Sequence, residues 1–412
     1  MRKLITGNGA AAWGARLARA DYLPAFPITP QTEIIETIGS WIDQGQMQMK
    51  MVTMDSEHSM ITAAGTAAAS GVRVFTATSS QGLLYGMEMI YTVAGWRAPF
   101  VLVNVSRALA SPITLEPDHN DVLAARDSGF LQIHCATCQE VVDSILLAYR
   151  LGEDERVRLP VIVNLDGYYL SFTREPVILP SIEQAEHFLQ PYDAEITHFR
   201  ASDPISQGVA VLGGSQYSYF RYESHLAALN GLTVFPEICR EYEQLTGRSY
   251  DTLEKYHCDD AEILFFMICS FSTKAKDAVN RLRRKNIRVG LVRPRLLRPF
   301  PEQDIARVMR GKKGVAVIDQ NLSFGKGGIL YCELTSALYD APDRPGALVS
   351  FIGGLGGRDI SEAEFLEMVR VTQKAVETGK TPPPRLLYTK EELAQMEGLK
   401  SIAQQSKRGN TT

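Results

Sequence analysis

Residues 72–105 read VRVFTATSSQGLLYGMEMIYTVAGWRAPFVLVNV, and this stretch decides the fold. The apolar, β-branched run at 72–78 predicts a strand, and apolar residues at helical spacing predict a helix at 82–93. The next run, residues 100–105, is almost continuously apolar, as expected for a strand whose two faces are both covered. A strand, a helix and a strand in this order form the repeating unit of a parallel α/β sheet.

The same alternation continues on both sides of this stretch. Before and after it, the sequence predicts strands at 20–26, 132–136 and 159–165, and helices at 59–70, at 139–151 and from an N-cap at Thr32. The chain therefore predicts an α/β fold in which residues 1–175 form a doubly wound, mostly parallel sheet.

The second half of the chain predicts a connector and a second α/β domain. Residues 176–258 are less regular and contain several prolines, so we expect a connector that wraps other elements, with helices at 222–229 and 236–245. Alternation resumes over 259–375, with strands predicted at 262–269, 287–292, 314–318 and 349–352 and helices at 273–284, 301–309 and 328–338. Residues 376–412 are expected to be a tail with a helix at 391–397 and a frayed end from 406.

Composition limits the class of protein. Of the 412 residues, 45% are hydrophobic and 22% are charged, which is ordinary for a globular chain of two domains. The formal net charge of −4 disfavours nucleic acid or an anionic membrane as a partner. We expect a cytoplasmic protein, because no apolar run is long enough to cross a membrane and the N-terminus lacks a signal peptide.

Sequence motifs for metals and phosphates are weak. Of the six cysteines only Cys135 and Cys138 lie close together, whereas a zinc or iron–sulfur site usually needs four ligands. The favoured interpretation is two small apolar residues at a strand-to-helix junction, with no metal in this chain. The glycine-rich run 353–359 follows a strand and could bind an anion, but it is more typical of a tight turn.

Polar residues that follow the predicted strands are the candidates for a site, because ligands of doubly wound sheets bind beyond the carboxyl ends of strands. These candidates are Thr29, residues 78–81, residues 104–107 and residues 166–167. Structural roles are open for several of them. Ser56 could cap the alanine-rich helix that includes Glu57, and Arg107 could be an ordinary solvated residue rather than a carboxylate ligand. Residues 118–121 could be a polar turn that caps the next helix.

Several segments, in order along nearly the whole chain, resemble one family. They are Phe-Pro-Ile-Thr-Pro-Gln-Thr-Glu at 26–33, Ser-Glu-His-Ser at 56–59, Phe-Thr-Ala-Thr-Ser-Ser-Gln-Gly-Leu at 75–83, Ser-Arg-Ala-Leu at 106–109, Asp-His-Asn-Asp at 118–121, Ala-Arg-Asp-Ser-Gly at 125–129, Gly-Arg-Ser-Tyr at 247–250, Arg-Pro-Phe-Pro at 298–301 and Gly-Gly-Leu-Gly-Gly-Arg-Asp at 353–359. The chain resembles the α subunit of the pyruvate and related 2-oxoacid:ferredoxin oxidoreductases, in their separate-subunit form.

This resemblance implies a thiamine diphosphate enzyme that is active only with partner chains. The first domain would bind the thiamine pyrimidine, and the second would be of the transketolase C-terminal type. A β subunit would hold the diphosphate, its Mg²⁺ and one [4Fe–4S] cluster, and γ and ferredoxin-like δ subunits would complete the complex. Coenzyme A would take the acyl group, and ferredoxin or another acceptor would take the electrons.

The resemblance also implies residue roles. Glu57 would bond to a pyrimidine nitrogen and promote the proton transfer to and from the thiazolium carbon, Arg107 would bind the substrate carboxylate, and Thr29 would lie near both substrate and cofactor. Ser80 and Gln81 would join Glu57 and Thr29 in binding the cofactor, and Asp118 and His119 would order a loop over the substrate.

Two departures from the family pattern bear on the substrate. Phe26 replaces the usual Tyr before Pro-Ile-Thr-Pro, and Glu116 and Pro117 stand in a loop that lacks the expected aromatic residue. Thr29 argues against oxalate. Pyruvate is the expected 2-oxo acid, with a larger aliphatic or aryl acid such as 2-oxoisovalerate or phenylglyoxylate as the alternative. A non-catalytic assembly subunit and another two-chain thiamine enzyme, of the sulfopyruvate or acetolactate type, are less favoured.

Overall fold

The computed structural model describes residues 1–192, 201–202, 204, 206, 208 and 210–409, with side chains described up to residue 400. The first part of the chain alternates strands and helices. These elements are β1 (Arg2–Thr6), α1 (Gly7–Leu17), β2 (Tyr22–Ala25), α2 (Thr32–Asp43), β3 (Lys50–Thr53), α3 (Glu57–Ala69), β4 (Phe75–Thr78), α4 (Ser80–Tyr85), α5 (Met87–Gly95), β5 (Val101–Ser106), α6 (Asn120–Ala124), β6 (Leu131–His134), α7 (Cys138–Gly152), β7 (Val161–Asp166), β8 (Arg174–Ile178) and α8 (Ile182–Phe188).

A long helix, α9 (Gly214–Thr246), leads into the second α/β domain. The elements that follow are β9 (Leu253–Tyr256), β10 (Ile263–Phe266), α10 (Ser272–Arg284), β11 (Val289–Pro294), β12 (Leu296–Arg298), α11 (Glu302–Met309), β13 (Gly314–Asp319), α12 (Ile329–Leu338), β14 (Ala347–Ile352), a 3₁₀ helix (Leu355–Gly357), α13 (Glu362–Thr378), β15 (Arg385–Leu386) and α14 (Lys390–Gly409).

The first sheet has the strand order β12-β6-β7-β5-β4, and β4 to β7 run parallel. A bridge between Tyr22 and Val74 connects it to the parallel pair β2-β3. All six residues of β5 and of β7 are buried, as expected when helices cover both faces of a parallel sheet. The predicted mostly parallel α/β fold is confirmed.

The two domains are interlocked. The second sheet has the order β15-β14-β13-β10-β11-β9, with β9 antiparallel, whereas β12 leaves it and pairs antiparallel with β6 of the first sheet. At the seam, the buried guanidinium of Arg293 donates to Glu140 at 2.5 Å, to Glu254 at 2.7 Å and to the carbonyl of His134 at 3.0 Å. The carboxyl ends of the first sheet are thereby held against the second domain.

The prediction of two helices at 222–229 and 236–245 is wrong, because α9 runs unbroken through Pro236. Its second half packs against α7, and the helix is capped at its end by Gly247, whose φ of 72° suits glycine. Asp143 of α7 fastens this end, since it accepts hydrogen bonds from Tyr242, Arg248 and Tyr250 at 2.5–2.6 Å. The helix continues because packing outweighs the single backbone hydrogen bond that Pro236 removes.

Other elements differ from the sequence predictions in smaller ways. The predicted helix at 82–93 is divided into α4 and α5 at Gly86, and β1, α1 and β3 were not predicted. In the tail α14 extends to Gly409, so the expected fraying from 406 is wrong for the described part, and residues 410–412 lie outside the described residues. Among the described residues, no helix combines the length and apolar character needed to cross a bilayer.

Candidate active site

Four candidate residues from separate segments lie at the carboxyl edge of the first sheet. Thr29 follows β2, Glu57 begins α3 after β3, Gln81 lies in the first turn of α4 after β4, and Arg107 follows β5. Their segments meet because β2, β3, β4 and β5 are parallel neighbours, so their ends share one edge. The polar residues that follow β2, β4 and β5 therefore lie together at this edge, as the sequence predicted.

Arg107 is the centre of this group. Its two terminal nitrogens donate to the carbonyl of Thr29 at 2.7 Å and to the Gln81 amide oxygen at 2.8 Å. Burial lowers the pKa of Arg107 while Asp121 raises it, and the guanidinium remains charged because its ordinary pKa is so high. Only 7% of Arg107 is exposed, so the alternative of a solvated arginine is wrong.

The turn after β4 shapes the other side of the group. Ser80 adopts a φ of 51°, and its single hydroxyl hydrogen is shared between two acceptors, the Gln81 amide oxygen at 2.6 Å and the carbonyl of Ala108 at 3.0 Å. Gln81 thus receives hydrogen bonds from both Ser80 and Arg107 through one oxygen. The oxygen of the Gln81 amide is thus held by the protein itself on this side of the site.

Glu57 is buried at the first position of α3, with 5% of its surface exposed. Ser56 caps the helix by accepting from the backbone nitrogen of Ser59 at 3.2 Å, so the predicted capping role is confirmed. The carboxylate packs on Gly82, where an added methyl group would overlap with it and lie 2.7 Å from the Thr78 hydroxyl. Glycine at position 82 is required for this close approach.

Asp118 and His119 lie on the loop between β5 and α6, but the His119 ring is fully buried. Its Nε2 atom lies 2.8 Å from Asp166, which also accepts from the backbone and hydroxyl of Ser270 in the second domain. Burial would lower the pKa of His119, but Cys269 and Asp166 outweigh burial and raise it. Burial also raises the pKa of Asp118 to about 6.

His119, Asp166 and Cys269 form the one group of potential metal ligands found among the described residues. Their ligand atoms lie within 4.8 Å of one another. His119 is already bonded to Asp166, and Cys269 lies 3.3 Å from His134 and 3.4 Å from the amide nitrogen of Asn164. Hydrogen bonds thus account for the cluster.

The second domain holds this loop in place through backbone contacts. The backbone nitrogen of Gly357 donates to the carbonyl of Pro117 at 2.8 Å, and that of His119 donates to the carbonyl of Gln320 at 2.8 Å. The run 353–359 is a tight turn with a 3₁₀ helix, as predicted, and Gly357 packs on Glu116. The turn supports the loop next to Arg107.

The pair Cys135 and Cys138 lies at the junction of β6 and α7, and both thiols are fully buried. Burial raises the pKa of each, which makes thiolate chemistry unfavourable. Their interpretation as small apolar residues at a strand-to-helix junction is confirmed.

Two family models match the chain in succession. The first, "Pyruvate flavodoxin/ferredoxin oxidoreductase, thiamine diP-bdg", covers residues 13–235, and the second, "Pyruvate:ferredoxin oxidoreductase core domain II", covers residues 261–365. The chain belongs to the pyruvate:ferredoxin oxidoreductase family. Thr29, Glu57, Gln81 and Arg107 fall inside the thiamine diphosphate-binding match, and the resemblance read from the sequence is confirmed.

Relatives of this family align over nearly their whole length. The pyruvate synthase subunit PorA of Methanothermobacter thermautotrophicus is 40% identical over 90% of this chain and 95% of its own. The ketoisovalerate oxidoreductase subunit VorA of Pyrococcus horikoshii is 37% identical over 92% of this chain and 96% of its own.

Two solved structures share the fold of this oxidoreductase family member. A 2-oxoglutarate:ferredoxin oxidoreductase from Magnetococcus marinus gives a TM-score of 0.69 at 19% identity and covers 91% of this chain, which spans 65% of that chain. A split-gene transketolase gives a TM-score of 0.53 at 11% identity, over 91% of this chain and 99% of that chain. At these identities the likeness concerns the fold alone.

The site fits the thiamine diphosphate of this family. Four buried polar atoms beside Glu57 and Arg107 lack a hydrogen-bond partner among the described residues, namely the hydroxyls of Thr78 and Ser79, the amide nitrogen of Gln81 and Nε of Arg107. Buried polar atoms without partners are costly, so a polar ligand at this edge would stabilise them. Glu57 contributes a buried carboxyl group to this edge, and Arg107 contributes a buried guanidinium.

The sequence did not predict that Asp121 connects two segments of this site. Asp121 is fully buried and accepts hydrogen bonds from the backbone of both Ser80 and Arg107. Its interpretation as part of a helix-capping turn gave no sign of this role, because the donors are far away in sequence. Its place in a segment that resembles the family was the one available signal.

Proposed function

We propose that this chain is the α subunit of a thiamine diphosphate-dependent 2-oxoacid:ferredoxin oxidoreductase that acts on pyruvate. The reaction converts pyruvate and coenzyme A into acetyl-CoA and CO₂, and it releases two electrons and a proton. The observation that carries this proposal is the position of Arg107, a buried cation between Thr29 and Gln81 on the sheet edge that also holds Glu57.

Each of these residues has a chemical task in the proposal. Arg107 binds the carboxylate of the 2-oxo acid, since a guanidinium matches a carboxylate in shape and charge. Glu57 holds a proton at the pyrimidine nitrogen, and its burial keeps water from competing for that contact. Thiamine diphosphate, when bound, supplies the electron sink for decarboxylation. Thr29, Ser80 and Gln81 orient the cofactor beside Arg107.

The remaining parts of the complex are proposed from the family. A β subunit would carry the diphosphate, Mg²⁺ and a [4Fe–4S] cluster, and γ and ferredoxin-like δ subunits would pass electrons to ferredoxin or another acceptor in the cytoplasm. Residues 1–175 would then be the pyrimidine-binding domain, 176–258 the connector, 259–375 the transketolase C-terminal-like domain and 376–412 the tail. Asp118 and His119 would order the loop over the substrate, and support for this comes from the backbone contacts of that loop to Gln320 and Gly357.

A second substrate has support from the relatives. PorA and VorA subunits match this chain at similar identity, 40% and 37%, so sequence likeness does not separate pyruvate from 2-oxoisovalerate. We favour pyruvate and keep 2-oxoisovalerate as the alternative, and the choice rests on assays of the two acids.

The test of the mechanism is Glu57→Gln in the assembled complex, with Glu88→Gln as the matched control. Glu88 lies on α5 with a side chain that is 81% exposed, so its loss should leave turnover unchanged. Glu57→Gln should lower kcat by about 10²-fold or more, because the proton at the pyrimidine nitrogen loses its carboxylate. Equal kcat values for the two variants would remove Glu57 from the mechanism and would favour a non-catalytic assembly subunit.

Arg107→Ala tests the carboxylate contact separately. It should lower kcat/KM for the 2-oxo acid by the equivalent of about 2–5 kcal/mol, mainly through KM, because a charged contact is removed at a buried position. An unchanged kcat/KM would reject the contact while leaving the role of Glu57 open.

A further inference from the structure

Asp121 is a fully buried carboxylate on which several hydrogen-bond donors converge. One oxygen accepts from the backbone nitrogens of Ser80 at 3.1 Å and Arg107 at 3.2 Å, and from the side-chain amide of Asn104 at 3.1 Å. The other oxygen accepts from the Ser106 hydroxyl at 3.0 Å and the backbone nitrogen of Val122 at 2.7 Å. Both oxygens are thus fully used by the protein itself.

The two backbone donors belong to the two segments that build the site. Ser80 begins the first turn of α4, which includes Gln81 and is called here the Ser80 turn. Arg107 is the residue whose guanidinium bonds to Gln81 and Thr29. Gln81 and Arg107 contact each other through their side chains. One oxygen of Asp121 holds the backbone on both sides of this contact, at Ser80 and at Arg107. If that oxygen were lost, the Arg107 segment would be joined to the Ser80 turn through side-chain hydrogen bonds, from Arg107 to Gln81 and from Ser80 to the carbonyl of Ala108, and no longer through the two backbone nitrogens.

We propose that Asp121 is a positioning residue for the 2-oxo acid, which acts by holding the Arg107 backbone and the Ser80 turn in register. This inference rests on the proposed function, since it assigns to Arg107 the substrate carboxylate. Asp121 does not touch the substrate, because its two oxygens are buried and occupied by protein donors.

The network behind Asp121 reaches the second domain. The side-chain amide of Asn104, which bonds to Asp121, also donates to the side-chain oxygen of Asn164 at 2.8 Å. The single hydroxyl hydrogen of Ser106 is shared between Asp121 and the same Asn164 oxygen, which lies 2.8 Å away. The amide nitrogen of Asn164 in turn lies 3.4 Å from the Cys269 sulfur. The position of the Arg107 backbone is therefore connected, through Asp121, Asn104 and Asn164, to the interface between the two domains.

The chemistry of the five donors requires a carboxylate at position 121. An asparagine there would keep the shape, but its NH₂ group would face backbone N–H or hydroxyl donors and could accept from none of them. Asp121→Asn therefore removes the acceptor function of one oxygen without opening a cavity, which makes it a sharp test of positioning.

The experiment is a double-mutant cycle on kcat/KM for pyruvate in the assembled complex, with wild type, Asp121→Asn, Arg107→Ala and the double variant. We expect Asp121→Asn alone to lower kcat/KM by about tenfold, which corresponds to about 1.4 kcal/mol, mainly through KM. In the Arg107→Ala background the same change should cost less than about twofold, because the residue that Asp121 positions is already gone.

Asp143→Asn is the matched control, because Asp143 is a fully buried aspartate of the same domain that contacts none of the site residues. Its effect on kcat/KM should be the same with and without Arg107.

Far-UV circular dichroism and the cluster absorbance of the complex report assembly. If Asp121→Asn does not assemble, Ser106→Ala removes only one donor to Asp121 and should show the same dependence on Arg107 with a smaller effect.

The outcomes separate the two proposals. A full, additive loss from Asp121→Asn in the Arg107→Ala background would overturn positioning through Arg107 and leave the proposed function intact. A normal kcat/KM for Arg107→Ala alone would overturn the carboxylate contact and, with it, the role given to Asp121.

Discussion

Asp121 and Asp143 are both fully buried aspartates that collect several hydrogen bonds, yet they serve different parts of the molecule. Asp143 bonds to side chains that fasten the end of α9 to α7, and these include the guanidinium of Arg248 at 2.6 and 2.9 Å. Asp121 bonds mainly to the backbone of the site segments, and no cation is bonded to it within the described part of the chain.

A buried aspartate therefore stabilises the fold at Asp143, whereas at Asp121 it positions the residues of the site. Asp143 neutralises a partly buried charge, so its removal would leave Arg248 without its partner and would destabilise the fold. Asp121 instead accepts hydrogen bonds from neutral backbone and side-chain donors, and burial raises its pKa. Loss of Asp121 is therefore expected to appear in substrate binding, and loss of Asp143 in the free energy of unfolding.

The largest expected effect is that of Asp143→Ala on stability. The free energy of unfolding should fall by about 3–5 kcal/mol, because Arg248 loses its buried partner, while kcat/KM of the assembled fraction should stay within about twofold of wild type. Denaturant unfolding monitored by circular dichroism measures the first value. Asp277→Ala, which breaks an exposed pair with Arg281, is the control and should cost less than about 1 kcal/mol.

Two results would contradict this division of roles between the aspartates. One is a loss of kcat/KM in Asp143→Ala that is proportional to its loss of stability. The other is an Asp121→Asn variant with a destabilised fold and an unchanged KM.

A smaller effect is expected when the packing beneath Glu57 is disturbed. Gly82→Ala places a methyl group against the Glu57 carboxylate, so kcat should fall by about tenfold, or about 1.4 kcal/mol, as Glu57 is displaced. Gly95→Ala is the matched control, since a methyl group there would meet nothing within 4 Å. Stopped-flow or steady-state dye reduction gives kcat for both, and similar values would mean that Glu57 tolerates displacement.

The smallest expected effect concerns Asp118, whose pKa is raised to about 6 by burial. The folded chain then holds the proton more tightly than the unfolded chain, so the free energy of unfolding falls as pH rises through this pKa. Between pH 5 and pH 8 the fall should be about 1–2 kcal/mol. Asp118→Asn should lack this component, so the difference in unfolding free energy between variant and wild type should grow with pH. A difference that is independent of pH would show that Asp118 is ionised throughout.

The strand β5 and the position of the residue after it could be predicted from the sequence, because the apolar pattern of this run agrees with its burial in the fold. A continuously apolar run predicted the buried strand, and the polar residue that follows it, Arg107, was placed at the correct edge. The same reasoning found Thr29 and Gln81, since each follows a strand at that edge, whereas Glu57 was assigned from the resemblance to the family.

Features that depend on distant partners could not be predicted in this way. The strand β12 pairs with β6 of the other domain, and no local pattern specifies that partner. Helix α9 continues through Pro236 because its far end packs on α7 and is fastened by Asp143. Asp121 was missed for the same reason, since its donors come from segments that only the fold brings together.

The most direct test of the central claim is turnover of the co-purified complex with thiamine diphosphate, Mg²⁺, coenzyme A and a viologen dye. Pyruvate, 2-oxoisovalerate, 2-oxoglutarate and phenylglyoxylate are offered in separate assays, each with wild type and Glu57→Gln. We predict dye reduction that requires coenzyme A, is fastest with pyruvate and is lost in the variant. An intact complex, with its iron–sulfur absorbance, that reduces the dye with none of these acids would contradict the proposed function.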